Sequence, residues 1–122
     1  MATERTLSII KPDAVKNKAT GKIFNHIIET GFTILSAKLI KLSLSQAENF
    51  YYIHKDRPFY SQLTKFMTSD KCMIMTLQKK DAVNEWRKTI GDTNPAEAKK
   101  GTIRYLYGTN IEKNAVHGSD SD

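Results

Sequence analysis

The 122-residue sequence predicts a mixed α/β fold. Short apolar runs alternate with stretches whose apolar residues recur at helical spacing and stop at glycine. A chain of this size buries roughly two-thirds of its unfolded surface, and 39% hydrophobic residues suffice for one core. No repeat, low-complexity segment or linker divides it, so residues 1–122 are expected to form a single domain.

Thr6 to Ile10 is short and apolar, and Pro12 closes it, which predicts a first strand. From Thr20 to Thr30, Ile23, Phe24, Ile27 and Ile28 form one helical stripe, stopped by Gly31. Phe32 to Leu42 is rich in apolar and β-branched residues and predicts a long strand, with its alternation slipping near Lys38–Lys41 at a bulge or at the strand end. Ser45-Gln46-Ala47-Glu48 has a capping-box pattern opening a helix. Pro58 suits the first turn of a second helix carrying Phe59, Leu63, Phe66 and Met67. Cys72 to Leu77 is continuously apolar and predicts a buried central strand. Asp81 is placed to cap a helix bearing Val83, Trp86 and Ile90, stopped by Gly91. Asp92 to about Lys113 lacks periodicity, and long loops of this kind are often functional. Asn114 to Val116 predicts a last short strand.

Composition narrows the functions. No apolar run approaches the ~20 residues of a membrane span, and the N-terminus has no apolar signal region. The one cysteine, Cys72, sits in an apolar run and reads as a buried thiol. These features lead us to expect a cytoplasmic protein. The net charge of +6 favours anionic partners, but the lysines are spread along the chain and mark neither a membrane nor a specific nucleic-acid surface.

The sequence has no Walker loop, no GxGxxG, no GxSxG, no HExxH and no Cys/His cluster for zinc. Its candidate site residues are cations at element ends and in the long loop: Lys11, Arg57, Arg87 and Arg104. Singly each reads as a surface charge; converging, they suit a polyphosphate, whose transfer depends on positioning and charge stabilisation. His117 is open to several roles: general base, metal ligand, nucleophile or ordinary partly buried residue. Gly118 after it would permit close approach of a substrate, and Ser119 and Asp120 can hydrogen-bond a ring nitrogen. His26 and His54 fall on predicted helices and read as structural or surface residues.

Asn114-Ala115-Val116-His117-Gly118-Ser119-Asp120-Ser121 resembles the active-site signature of the nucleoside diphosphate kinases. Glu4 to Val15 resembles that family's first strand and following turn, and Lys55-Asp56-Arg57-Pro58-Phe59 its substrate clamp. Gly91 to Pro95 and Gly101 to Arg104 resemble its long loop, so the likeness runs over essentially the whole chain. Tyr105-Leu106-Tyr107 departs from the family's usual glycine, acidic residue and phenylalanine.

The resemblance implies a ferredoxin-like α/β sandwich: a four-stranded antiparallel sheet with helices on one face. It implies a ping-pong transfer of the γ-phosphate of a nucleoside triphosphate, usually ATP, to a nucleoside diphosphate through phosphohistidine at His117. Lys11, Arg87, Thr93 and Arg104 are then expected on phosphates and Asn114 on the sugar. Tyr51 belongs near Lys11 and the histidine, Phe59 stacks on the base, and Leu63 and Ile111 line the same slot. Ser119 supports the catalytic loop. Magnesium would arrive on the nucleotide phosphates, with no dedicated protein ligands. Family members form tetramers or hexamers built from dimers, so a homo-oligomer is expected. They usually continue beyond the position of Asp122 with a glutamate that orients the histidine, so the C-terminal part is expected to be missing here. The competing expectation is a nucleotide- or nucleic-acid-binding module without catalysis, motivated by the charge and the short C-terminus.

Overall fold

Two fully buried neighbours, Ile9 and Ile10, point to opposite faces of strand β1 (Glu4–Ile10) and so require a cover on both sides. The computed structural model describes residues 3–118. In it β1 and β3 (Cys72–Lys79) form the centre of a four-stranded antiparallel sheet, flanked by β2 (Thr33–Ile40) and β4 (Val116–Gly118) in the order β2-β3-β1-β4.

Ile10, Met75 and Leu77 face one core with α1 (Pro12–Lys16), α2 (Thr20–Glu29) and α5 (Ala82–Ile90). Trp86 is fully buried there, edge-on to Phe32 with ring centroids 5.5 Å apart. Each such buried apolar side chain stabilises the fold by about 1.5–3 kcal/mol. Ile9 and Cys72 face the other side, where α3 (Leu44–Phe50) and α4 (Tyr60–Met67) bring Ala47 and Met67, with Tyr51 directly after α3. The ferredoxin-like sheet agrees with expectation, but the single helical face is only half of the arrangement: α3 and α4 build a second, smaller core opposite the first.

Local details differ from the sequence reading. The N-cap of α3 is Ser43, two residues earlier than Ser45: its hydroxyl accepts from Gln46 N–H and its own N–H donates to the Gln46 side chain. Helix α4 begins at Tyr60, after a 3-10 turn at Tyr52–His54, so Pro58 lies ahead of the helix rather than in its first turn. The slip expected near Lys38–Lys41 is the strand end, since β2 stops at Ile40, and the register shift lies earlier, between Ile34 and Ser36. Asp81 does stand at the N-cap of α5, in a left-handed conformation and without a side-chain cap bond. The aperiodic stretch holds a 3-10 turn at Pro95–Glu97 and a short helix, α6 (Ile103–Tyr107), capped by Thr102. The last strand begins at Val116, two residues later than expected. Cys72 is buried, and burial pushes its thiol pKa up. Among the described residues, no helix is long and apolar enough to cross a membrane.

Candidate active site

Strand register decides where His117 points. His117 pairs with Ile9, which pairs on its other side with Ile74, so all three share the face covered by α3 and α4. The imidazole accordingly meets Phe50 and Tyr51 edge-on, at centroid distances of 5.3 Å and 5.9 Å. Its carbonyl accepts a hydrogen bond from Trp86 Nε1 at 3.3 Å, which ties the segment to α5. Gly118 serves this packing: a Cβ there would lie 3.0 Å from both Trp86 Cδ1 and Ile90 Cδ1. Its missing side chain thus suits the close approach of α5, and Gly118 also lines the cleft described next.

The turn ahead of β4 is strained. Ala115 is fully buried with φ +74°, and Val116 N–H donates to Asn114 O at 2.9 Å. This is the positive-φ form of the γ-turn, rare for a residue with a Cβ. Such a conformation costs about 1–3 kcal/mol and persists only where its surroundings enforce it. Lys11 N–H donates to Ala115 O at 2.8 Å, and Asp13 Oδ2 accepts from Ala115 N–H at 3.1 Å.

A cleft of about 760 Å³ opens beside His117. Lys11, Tyr51, Phe59, Leu63, Arg87, Thr93, Arg104, Ile111, Asn114 and His117 all line it, so the residues expected in one site meet there. Ser119 lies outside the described residues.

Lys11 follows β1 directly and is only 7% exposed; its ammonium donates to Asn114 Oδ1 at 2.8 Å. Burial, reinforced by the charge of Arg104, lowers its pKa from 10.5 to about 8. Arg104 donates to Gly91 O at 3.1 Å and to Val116 O at 2.9 Å, while its Nε has no hydrogen-bond partner. Burial and the neighbouring Arg87 lower its pKa to about 10. Asn114 holds Lys11 with its carbonyl and donates to Thr93 O at 2.9 Å with its amide, knitting β1 to the long loop. The Tyr51 hydroxyl is buried without a hydrogen-bond partner, and burial raises its pKa. Phe59 and Ile111 stand exposed at the mouth.

Four further residues belong here. His54, read from the sequence as structural or surface, lines the cleft, its ring 5.7 Å from that of Phe59. Its place between Tyr51 and Phe59 was the available signal. Phe50 packs on the histidine as the neighbour of Tyr51. Asp92 and Glu112 supply carboxylates. Arg57, one of the four cations singled out, is exposed and does not line the cleft. No group of three His, Cys, Asp or Glu side chains among the described residues could hold a metal ion. Asp92 and Glu112, the carboxylates lining the cleft, are the oxygen donors that a cation arriving with an anionic ligand would meet there.

A ferredoxin-like sandwich with His117 presented by an edge strand into a cationic, nucleotide-sized cleft is the class these features define. The family model for nucleoside diphosphate kinase matches residues 4–122. Nucleoside diphosphate kinases of Persephonella marina and Trichlorobacter lovleyi are 50% and 52% identical, over 99% and 97% of this chain and 86% of each relative. The crystallised Aquifex aeolicus nucleoside diphosphate kinase superposes with a TM-score of 0.95 at 42% identity, over 98% of this chain and 87% of that one. The Halobacterium salinarum enzyme, solved in complex with CDP, gives 0.94 at 33% identity, over 98% and 78%. The chain belongs to the nucleoside diphosphate kinase family.

Proposed function

We propose that this enzyme moves the γ-phosphate of a nucleoside triphosphate, ATP foremost, to a nucleoside diphosphate through a phosphohistidine on His117. The observation that carries this reading is the trio of cations, Lys11, Arg87 and Arg104, that line one cleft with His117. Like charges held this close repel until an anion arrives, and a triphosphate supplies it.

In the first half-reaction an imidazole nitrogen attacks the γ-phosphorus; the bond to the bridging oxygen breaks, and the diphosphate leaves with that oxygen. In the second, a terminal oxygen of another nucleoside diphosphate attacks the same phosphorus and the N–P bond breaks, restoring His117. Lys11, Arg87 and Arg104 hold charge on the transferring group and Thr93 binds phosphate. Asn114 reaches the sugar with the lone pair that Lys11 leaves open. Phe59 stacks on the base with Leu63 and Ile111 beside it; a π-face accepts any base. Tyr51 and Phe50 wall the imidazole. Ser119 supports the histidine segment. CDP bound to the Halobacterium salinarum relative is in keeping with this assignment. Magnesium on the phosphates would neutralise part of their charge when bound, and Asp92 and Glu112 are the carboxylates of the cleft that would meet it.

Residues 1–122 act as one domain, in the cytoplasm, with nucleotides as partners; membranes and specific nucleic acids are not among them. Copies associate into a homo-oligomer, tetramer or hexamer, using the open edge of β2, where Leu35 and Leu39 are 44% and 49% exposed.

The test is incubation with γ-labelled ATP. The protein should take up an acid-labile, base-stable label that chases onto GDP, and His117→Ala should take up none. An unlabelled wild-type protein, or equal labelling of the variant, overturns the reading.

A further inference from the structure

Asp13 does not line the cleft beside His117, yet it is only 8% exposed and its carboxylate is aimed at the strained turn. Its Oδ2 accepts the Ala115 N–H across 102 residues of sequence, while Oδ1 has no hydrogen-bond partner. Burying a carboxylate is unfavourable: desolvation raises its pKa, against the opposing pull of Lys11 and of the amides of Ala115, Asp13 and Ala14. A side chain kept there at that cost is expected to hold something the backbone would otherwise leave. What it holds is the amide of the one residue between Asn114 and β4 that carries a Cβ at φ +74°.

The geometry of the turn passes directly to the histidine. Val116 pairs with Ile10 and His117 with Ile9, so β4 starts at the residue after Ala115 and has no slack before the imidazole. We infer that Asp13 is a positioning residue: by gripping the Ala115 amide it holds the γ-turn in place and fixes the line along which His117 meets the phosphorus. This inference rests on the phosphohistidine chemistry proposed above. The Lys11 N–H on Ala115 O anchors the same residue from the end of β1, so the two residues flanking Pro12 grip one turn by both of its polar groups. Misplacing a reacting group by about 1 Å costs about 10²-fold in rate, which sets the scale of the effect.

Three variants test it: Asp13→Ala, Asp13→Asn and the double variant Asp13→Ala with Ala115→Gly. Each is measured for single-turnover labelling by γ-labelled ATP, ADP affinity by calorimetry, hydrogen exchange of the residue-115 amide, and emission of Trp86, which is bonded to the His117 carbonyl. Asp13→Ala should label about 10²-fold more slowly while ADP affinity stays near wild type, with faster exchange at Ala115 and shifted emission. Asp13→Asn keeps an acceptor and should recover both rate and emission. Glycine takes a positive φ without strain, so Ala115→Gly should restore labelling in the Asp13→Ala background.

A merely structural charge at the start of α1 predicts otherwise: Asp13→Asn would be as slow as Asp13→Ala, and glycine would not rescue. That pattern overturns the inference, as does wild-type labelling by Asp13→Ala or a parallel loss of ADP affinity. Should Asp13→Ala fail to fold, the Asn and double variants decide alone. Should the wild type take no label, the chemistry at His117 fails separately, and Ala115 exchange with Trp86 emission still decides whether Asp13 holds the turn.

Discussion

Lys11 sits close to losing its proton at ordinary working pH. Burial and Arg104 bring its pKa from 10.5 to about 8, so it is charged below that value and neutral above it. A phosphate ligand favours the charged form, so binding above pH 8 should take up a proton, and affinity should fall by roughly tenfold per pH unit at most. Calorimetric titrations with ADP in two buffers of different ionisation enthalpy will read that proton; equal heats would rule the effect out. The contribution to stability has the opposite sign. Between pH 8 and 10.5 the unfolded chain keeps the Lys11 proton that the folded chain has released. The burial penalty on this group is therefore fully present below pH 8 and is relieved as pH rises through that window. Residue type and position singled out Lys11, Arg87, Arg104 and His117, each with a bland reading beside it, whereas Tyr51, Phe59, Leu63, Thr93, Ile111 and Asn114 came only through the family resemblance; all ten line one cleft. Asp13 and Ala115 could not be read from the sequence: an aspartate after proline reads as a helix start, and nothing in an alanine announces a positive φ.

At the scale of elements, α5, the long loop and β4 form one unit held by Arg104, which bonds Gly91 O at the end of α5 and Val116 O in β4. Gly91 has φ +88°, and a Cβ there would lie 2.6 Å from Thr102 Oγ1. Gly91→Ala should therefore destabilise the fold by about 1–3 kcal/mol and raise KM for both nucleotides, since the Arg104 anchor moves with it. Scanning calorimetry and steady-state kinetics check this; an unchanged melting temperature with unchanged KM would show that the loop absorbs the methyl group. Strands and amphipathic helices were legible because period and burial coincide, as at Ile23 and Ile27 of α2. Helix α6 was not: five residues give hardly one turn of pattern, and its Thr102 cap is set by contacts with the rest of the loop. The capping box was displaced to Ser43 because two serines two apart offer the same local chemistry, and only the chain path from β2 chooses between them.

For the whole molecule, the sheet leaves β2 with one strand edge unpaired among the described residues, and Leu39 is 49% exposed on it. If this edge joins copies, Leu39→Lys should lower the sedimentation coefficient toward that of a 13.8 kDa chain, because an edge lysine opposes strand pairing. Unchanged sedimentation would move the interface elsewhere. The second helical layer was also hidden in the sequence. Cys72 to Met75 of β3 is continuously apolar and the adjacent Ile9 and Ile10 of β1 are both buried, which states that each face is covered, but periodicity within a helix does not say on which face it lands.

The pairing of β1 with β4 brings together segments from near the two extremes of the described chain, as the 102-residue span between Asp13 and Ala115 measures. Closing so long a loop carries an entropic penalty before any contact repays it, so this contact is expected late in folding. A chain still emerging from the ribosome can pair β1 with β3 and bury much of its core before His117 has joined the sheet. Under the phosphohistidine chemistry proposed above, labelling would report a closed sheet, and partly folded forms would take up no label.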